Sequence, residues 1–175
     1  PQLSAFATKF VSKGFTMYPV IFLMFIVGTI VAPRFLTTQN IINIGAQVAV
    51  LGTVTLGLMF TLLIGRLDLS LESTVGFAPM VAAMLMAGVA AGGYGTMLPG
   101  WMGLVITMLI AALVGLVNGF LIVSVGLNPL IATLGMLVLL RGSVLIVSSG
   151  RSIYSPPPSY TWLGSQRYFG VPISV

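Results

Sequence analysis

Long apolar runs without charged residues dominate the chain. Asp, Glu, Lys and Arg are absent from residues 14–33, from residues 35–65 and from the 68 residues between 73 and 140. A helix needs about 20 mainly apolar residues to cross a hydrocarbon core roughly 30 Å thick, so the last run is long enough for several spans. The pattern predicts an all-α, polytopic membrane protein.

Turn-forming residues divide these runs into about five transmembrane helices. Pro33 closes the first, and the polar residues 37–40 offer N-cap oxygens for the second. Glycines around Pro99 separate the third from the fourth, and Asn128-Pro129 pairs an N-cap residue with a proline suited to the first helical position of the fifth. The predicted spans lie near residues 15–32, 41–65, 70–91, 101–124 and 130–148.

Composition narrows the function classes. Hydrophobic residues make up 58% of the chain, charged residues only 5%, and the mean hydropathy is +1.15. Soluble domains carry about 25% charged residues, so a soluble fold is excluded. The seven basic residues are scattered singly, which predicts no nucleic-acid partner. Arg141 lies inside a predicted span, and the other six fall three on each side of a five-span topology, so the positive-inside rule does not orient the chain.

Catalytic and cofactor chemistry has few candidate groups. Cys and His are absent, which removes disulfides, the usual zinc sites and every His-based triad. The chain also lacks a G-x-x-x-x-G-K-[ST] element for nucleotide phosphates. We therefore predict a protein that is not an enzyme, with no catalytic residue, no metal and no bound cofactor. Any coupling to ATP must come from a partner subunit.

Arg141 is the one charged residue placed well inside a predicted span. It lies about 12 residues into the fifth span, or roughly 18 Å along a helix. A charge at that depth costs about 2.5–3.5 kcal/mol on insertion scales and commonly faces a polar cavity or a partner. Two interpretations remain open: Arg141 lines or braces a polar pathway, or its side chain reaches toward the membrane surface.

Asp68 and Glu72 are the only acidic residues of the chain. The segment that holds them allows two interpretations. It is either an interfacial turn, with Arg66 neutralising an acid and Asp68 or Ser70 capping the third helix, or a broken helix of the kind that transporters use for substrate and ion sites. Only the second interpretation permits Glu72 to pair directly with Arg141.

Two small-residue spacings, Gly88-x-x-x-Gly92 and Gly115-x-x-x-Gly119, allow helices to approach closely. We interpret them as packing within the chain in preference to a dedicated dimerisation motif.

Several segments together resemble the permease subunits of ABC importers for ribose, xylose, arabinose and related sugars. Residues 35–44 resemble the family's F-x-T-x-x-N-L-x-N-I element, and residues 57–70 resemble its G-M-T-x-V-I-x-x-G-G-I-D-L-S signature. Asn118-Gly119 resembles an N-G pair late in the fourth span. Residues 129–134 with Arg141-Gly142 resemble the P-F-I-A-T-L and R-G elements. Residues 170–173 resemble a G-I-P loop before the next span.

The resemblance covers roughly residues 20–175 but only about the first half of such a permease, so residues 1–175 are predicted to be a single transmembrane domain from its N-terminal half. It implies a permease that moves a monosaccharide across the bacterial inner membrane, with a cytoplasmic N-terminus and a periplasmic tail after residue 150. It also implies three partners: a second permease copy, a cytoplasmic ATPase and a periplasmic sugar-binding protein.

The candidate pathway residues are Arg141, Asn118, Asp68, Ser70 and Glu72. Two residues depart from the family pattern: Arg66 stands at the second glycine of the signature, and Glu72 stands at the glycine that follows its L-S-V. A non-transporting membrane scaffold, or a remnant of a permease, is the alternative function. An ion channel is disfavoured because the chain shows neither a repeated acidic ring nor a carbonyl filter segment.

Overall fold

The computed structural model describes residues 17–154, 156–168 and 171–172. Its elements are, in chain order, α1 (Met17–Val31), α2 (Thr38–Leu63), α3 (Leu71–Met86), a 3-10 turn (Val89–Ala91), α4 (Gly100–Gly119), a π turn (Phe120–Ser124), α5 (Pro129–Ser148), α6 (Pro158–Ser165), β1 (Arg167–Tyr168) and β2 (Val171–Pro172). The two short strands pair antiparallel, with Arg167 opposite Pro172. The predicted all-helical, polytopic membrane fold is confirmed.

The apolar helices differ in length. Within the described part of the chain, three are long and apolar enough to cross a membrane: α2, α4 with its π turn, and α5. The two shorter ones, α1 and α3, contain 15 and 16 residues. At 1.5 Å per residue α3 is about 24 Å long, less than the roughly 30 Å of a hydrocarbon core. Residues 64–70, just before it, are non-helical.

Several predicted helix ends are found at the expected residues. The side chain of Asn128 accepts a hydrogen bond from the backbone N–H of Leu130 at 2.9 Å, and Pro129 is the first residue of α5. Thr37 accepts one from the backbone N–H of Asn40 at 3.4 Å at the start of α2. These polar side chains satisfy backbone donors that have no partner within the first helical turn.

One predicted helix end was wrong. The third predicted span runs to residue 91, whereas α3 ends at Met86 because the following loop folds back and bonds its last turn: the N–H of Tyr94 donates to the carbonyl of Met84 at 2.8 Å. The tail contains a further helix that the sequence analysis did not predict, α6, whose Tyr160 hydroxyl lies 3.1 Å from that of Thr107 on α4. Residues 15, 16, 170 and 173, which belong to predicted elements, lie outside the described residues.

The chain forms two compact units, divided between Gln47 and Val48. In the first, the ring of Phe35 packs edge-on against Phe25 with centroids 5.4 Å apart, and it covers Gly28, where a Cβ would come within 2.7 Å of the ring. None of the residues of α1 or α2 is buried. Their apolar side chains are therefore available to lipid or to other protein. The assignment of residues 1–175 to one transmembrane domain stays a prediction.

In the second unit, α3 is the central helix and packs on both α4 and α5. Small and flexible residues form its buried face, including Ala78, Ala82, Met84 and Met86. Such residues let helix backbones come close together where lipid removes the hydrophobic drive for association.

Contacts at the two ends of α3 fix its direction and height. Its start bonds Asn118 near the end of α4, and its end contacts Gly103 near the start of α4, so these two helices are antiparallel. Glu72 near its start pairs with Arg141 of α5, and the Tyr94 hydroxyl after its end donates to the carbonyl of Val147 at 2.6 Å. Helix α3 thus begins beside the second half of α5, well inside the unit.

Candidate functional site

The segment between α2 and α3 makes a non-helical path into the second unit. Gly65 has a φ of +74°, a left-handed conformation that favours glycine and turns the chain out of α2. A side-chain nitrogen of Arg66 then lies 3.5 Å from the carbonyl of Ile122, and four residues later Ser70 bonds Asn118. Ile122 and Asn118 are four residues apart, which corresponds to about 6 Å along a helix at 1.5 Å per residue. The segment therefore runs inward by about that distance alongside the last turns of α4.

Asp68 organises the start of α3. Its Oδ1 accepts two hydrogen bonds from Ser70, one from the backbone N–H at 2.8 Å and one from the hydroxyl at 2.7 Å. Ser70 occupies the N-cap position of α3, but its hydroxyl makes no capping bond. Capping of the third helix by the Ser70 side chain, one part of the interfacial-turn interpretation, is therefore wrong.

Three of the five predicted pathway residues form one hydrogen-bond chain, called the buried chain below because two of its members are buried and Asp68 is half-buried. The amide Nδ2 of Asn118 donates to the Ser70 hydroxyl at 2.7 Å, and that hydroxyl donates to Asp68. Because an ionised carboxylate can only accept, the Ser70 hydroxyl donates to Asp68 and accepts from the Asn118 amide. Ser70 is 1% exposed and Asn118 is 3% exposed. This hydrogen-bond chain joins α4 to the non-helical segment before α3, inside a largely apolar bundle.

The hydrogen-bond chain leaves one buried acceptor, the side-chain oxygen of Asn118, without a donor. Among the described residues, the Oδ1 of Asn118 has no hydrogen-bond partner, and it is buried. An unpaired buried polar atom costs about 1–3 kcal/mol, and such atoms are uncommon in native proteins. The surrounding protein encloses this oxygen, so leaving it unpaired is a cost that the buried hydrogen-bond chain carries.

The other two predicted pathway residues form an ion pair. The Nη2 of Arg141 lies 2.6 Å from the Oε1 of Glu72, and the two side chains are 58% and 72% exposed. Arg141 is twelve residues after Pro129, about 18 Å along α5, and Glu72 is the second residue of α3. The direct pair agrees with the broken-span interpretation of the segment, because a plain interfacial turn would leave Glu72 too shallow to reach Arg141.

Arg66 neutralises neither acid. Within the described residues, the only ion pair is the one between Arg141 and Glu72, while Arg66 donates a long hydrogen bond to a backbone carbonyl. The structure thus separates the five predicted residues into a buried chain and an exposed ion pair. Within the described part of the chain, no three acidic, His or Cys side chains come together as metal ligands.

A cavity of about 380 Å³ borders the buried chain. Its polar lining residues are Thr61, Arg66, Asp68 and Asn118. Gly115 and Gly119 line the same cavity, and a Cβ at either would meet nothing within 4 Å. The prediction that this glycine pair packs helices within the chain is therefore wrong, since the glycines leave open space at the cavity instead.

Sequence reasoning missed two features of this region. The π turn Phe120–Ser124 begins two residues after Asn118 and supplies Ile122 and Val123 to the cavity wall. Such turns occur often at functional sites, but one extra residue in a helical turn leaves no periodicity signal in an apolar run. Close packing by Gly100 and Gly103 against α6 and Met86 was also missed, because glycines alone do not show which neighbour they meet.

Comparisons with known proteins place the chain in a family. Residues 40–171 match the family model described as "Branched-chain amino acid transport system / permease component". The chain is 32% identical over 159 residues to an L-arabinose ABC transporter permease of Azospirillum brasilense, covering 87% of this chain and 42% of that protein. It is 30% identical over 167 residues to a D-allose transport system permease of Escherichia coli, covering 95% of this chain and 49% of that protein.

Another similar protein imports a different small molecule. An autoinducer 2 import system permease of Yersinia pseudotuberculosis is 37% identical over 130 residues, which cover 70% of this chain and 36% of that protein. No solved structure matches the chain.

The chain spans about half the length of the curated arabinose and allose permeases that it matches. The relatives are transport permeases, and their names include arabinose and allose systems, so the resemblance to sugar-importer permeases is confirmed. The family model matches three-quarters of the residues, so this chain belongs to the family described as "Branched-chain amino acid transport system / permease component".

Proposed function

We propose that the chain is a membrane-spanning permease component of an ABC importer that moves a monosaccharide across the bacterial inner membrane. The observation that carries this proposal is the buried chain from Asn118 through Ser70 to Asp68, placed where a span is interrupted. Transporters place substrate sites at discontinuous helices, since non-helical backbone inside a bilayer is tolerated where protein or a water-filled cavity surrounds it. The names of the curated relatives favour a sugar as the cargo.

The importer requires partners that the chain itself does not supply. A cytoplasmic ATPase provides the energy, a periplasmic sugar-binding protein delivers the cargo, and a second permease copy completes the channel. The exposed apolar faces of α1 and α2 are compatible with such a neighbour in the membrane. In this proposal the N-terminus is cytoplasmic, so the residues after Ser149 lie in the periplasm and the cavity lies in the cytoplasmic half of the bilayer.

The test is sugar uptake in the host that encodes the chain. Deletion of the gene is expected to abolish uptake of at least one radiolabelled sugar from a panel that includes L-arabinose and D-allose, and reintroduction of the gene restores it. Asn118→Leu removes the amide of the buried chain at nearly constant volume and is expected to restore little uptake. Asn43→Leu, which replaces an exposed asparagine of α2, serves as the matched control.

Normal uptake of every sugar in the panel after deletion contradicts the proposal. That result favours the alternative, a membrane scaffold or permease remnant without transport. Equal membrane levels of the variants, measured by immunoblot, are needed for the comparison between Asn118→Leu and Asn43→Leu.

A further inference from the structure

Four exposed aromatic residues lie at one end of the second unit, where α4 begins and α5 ends. Trp101 is the second residue of α4, and Trp162 belongs to α6. Tyr94 lies in the loop that follows α3, and Tyr154 lies in the loop that follows α5. Each of these residues is more than half exposed. We call the four residues the aromatic layer.

Hydrogen bonds hold the two loops at the level of the helix ends. The Tyr94 hydroxyl donates to the carbonyl of Val147 in the last turn of α5 at 2.6 Å, and the N–H of Tyr154 donates to the carbonyl of Ala91 at 3.3 Å. Helices α4 and α5 are consecutive and each is long enough to cross a membrane, so the start of α4 and the end of α5 mark the same membrane boundary. The aromatic layer therefore lies at that boundary.

Helix α6 is held at the same level by α4. A Cβ at Gly100, the first residue of α4, would lie 2.5 Å from the backbone nitrogen of Tyr160. The Tyr160 hydroxyl lies 3.1 Å from that of Thr107, which is seven residues after Gly100 and therefore about 10 Å further along the helix. The side chain of Tyr160 thus runs inward beside α4, while Trp162 is exposed. Helix α6 consequently lies beside the first turns of α4 and does not project beyond them.

The segments that carry the layer contain no charged residue. Asp, Glu, Lys and Arg are absent from residues 87–101 and from residues 152–162. Soluble proteins carry about 25% charged residues, and most of these side chains face water. The charged residues that flank α6 along the chain, Arg151 and Arg167, are both basic and exposed, as suits contact with lipid phosphates. This composition fits a membrane surface better than a surface in bulk water.

We propose that the aromatic layer anchors the second unit in the headgroup region of the bilayer, with α6 lying on the membrane as a lipid-contacting helix. Trp and Tyr are enriched at membrane–water interfaces, since each combines an apolar ring with a polar N–H or O–H group. The partner of this surface is therefore a phospholipid layer. In the orientation given above it is the periplasmic one. The anchor depends on the membrane fold and is independent of the transported cargo.

A docking platform for a protein in the water phase is the competing role of these residues. Such a platform has a polar rim that stays in contact with water. The absence of charged residues from both segments disfavours it, and so does the position of α6 beside α4. Lipid headgroups at the boundary would meet the exposed ring of Trp162 before a protein in water could.

The test uses the tryptophans as fluorescent probes in the intact protein, as its host encodes it, in lipid nanodiscs. Trp101→Phe leaves Trp162 as the single tryptophan of residues 1–175, and Trp162→Phe leaves Trp101. Any tryptophan elsewhere in the encoded protein is replaced by phenylalanine as well. Each variant is titrated with iodide, which stays in water, and is measured in phosphatidylcholine nanodiscs whose acyl chains carry bromine either close to the headgroup or near the chain end.

Both native tryptophans are expected to give the pattern of an interfacial side chain. Bromine close to the headgroup quenches them more strongly than bromine near the chain end, and the iodide quenching constant is several-fold smaller than that of free tryptophan. Leu113→Trp, made in a protein without other tryptophans, is the matched control for depth. Leu113 is exposed and lies about 20 Å along α4, so bromine near the chain end is expected to quench this probe most strongly. Helical circular dichroism checks that each variant is folded.

Three results would overturn the anchor. Strong iodide quenching of Trp162 without quenching by lipid bromine would place α6 in water, where a protein partner could dock. Quenching of Trp162 mainly by bromine near the chain end, as in Leu113→Trp, would place the side chain in the hydrocarbon core. Protection from every quencher would mean that protein covers it, either a second copy or another part of the encoded protein. None of these results depends on sugar uptake, so failure of the anchor leaves the proposed function standing.

Discussion

The ion pair between Arg141 and Glu72 predicts a measurable energetic coupling. Glu72→Gln removes the negative charge at similar volume, and Arg141→Gln removes the positive charge, so the two single variants and the double variant form a thermodynamic cycle. The cycle reports the pairwise energy if each single change only removes the interaction.

The magnitude follows from the surroundings of the pair. Ion pairs on surfaces in water contribute about 0.2–1 kcal/mol, and polar interactions between membrane helices average about 0.6 kcal/mol. An unpaired arginine at the centre of a spanning helix costs about 2.5–3.5 kcal/mol on insertion scales. The pair has a short N–O distance of 2.6 Å and Arg141 lies far along α5, but both side chains are more than half exposed. We therefore expect a coupling free energy of about 1–2 kcal/mol.

The assay is reversible unfolding of the four proteins in one detergent–lipid mixture, followed by helical circular dichroism. Glu72→Gln is expected to lower the free energy of unfolding, and adding Arg141→Gln is expected to recover part of the loss, because no arginine is then left unpaired. A coupling below about 0.3 kcal/mol would refute the reasoning. It would mean that the two charges are solvated independently and that the pair does not hold α3 against α5.

Three further predictions concern transport, packing and orientation. Arg141→Ala is expected to abolish sugar uptake without loss of membrane insertion if Arg141 belongs to the substrate pathway, as predicted; unchanged uptake at equal expression favours a side chain that reaches toward the membrane surface. Gly100→Ala is expected to lower the free energy of unfolding by about 1–3 kcal/mol because its Cβ meets the Ser159 side chain and the backbone of α6, whereas Gly135→Ala, with open space around it, is expected to change little. Because the chain has no cysteine, Ser152→Cys is expected to react with a membrane-impermeant maleimide in intact cells and Leu127→Cys only after permeabilisation; the reverse pattern contradicts a cytoplasmic N-terminus.

The pairing of Glu72 with Arg141 shows where sequence reasoning reached its limit. Both residues were identified from the sequence as unusual, Arg141 as a charge well inside a predicted span and Glu72 as one of the only two acids, at a position where the family pattern has glycine. The depth of Glu72 depended on whether residues 64–70 form a turn at the membrane surface or a path into the bundle. Local residue preferences do not decide between these, because Gly65 and Asp68 suit both.

The glycine spacings illustrate a second limit. A G-x-x-x-G pair shows that a neighbour could approach closely, but it does not identify the neighbour or show that one is present. Gly115 and Gly119 border open space in this structure, while Gly100 and Gly103, which belong to no such pair, carry the close contacts with α6 and Met86. Packing of this kind depends on atoms from distant parts of the chain.

The sequence by itself determined the all-helical membrane fold, the approximate helix positions and the family, because long apolar runs, capping residues and local motifs are read along the chain. Only the tertiary structure decided that α3 starts inside the bundle, that Asn118, Ser70 and Asp68 share one hydrogen-bond chain, and that a cavity lies beside them. Asn118 and Ser70 are 48 residues apart, and nothing in the spacing of either residue fixes their contact. Such contacts follow from the relative height and rotation of packed helices, which are set by the fit of whole helix surfaces.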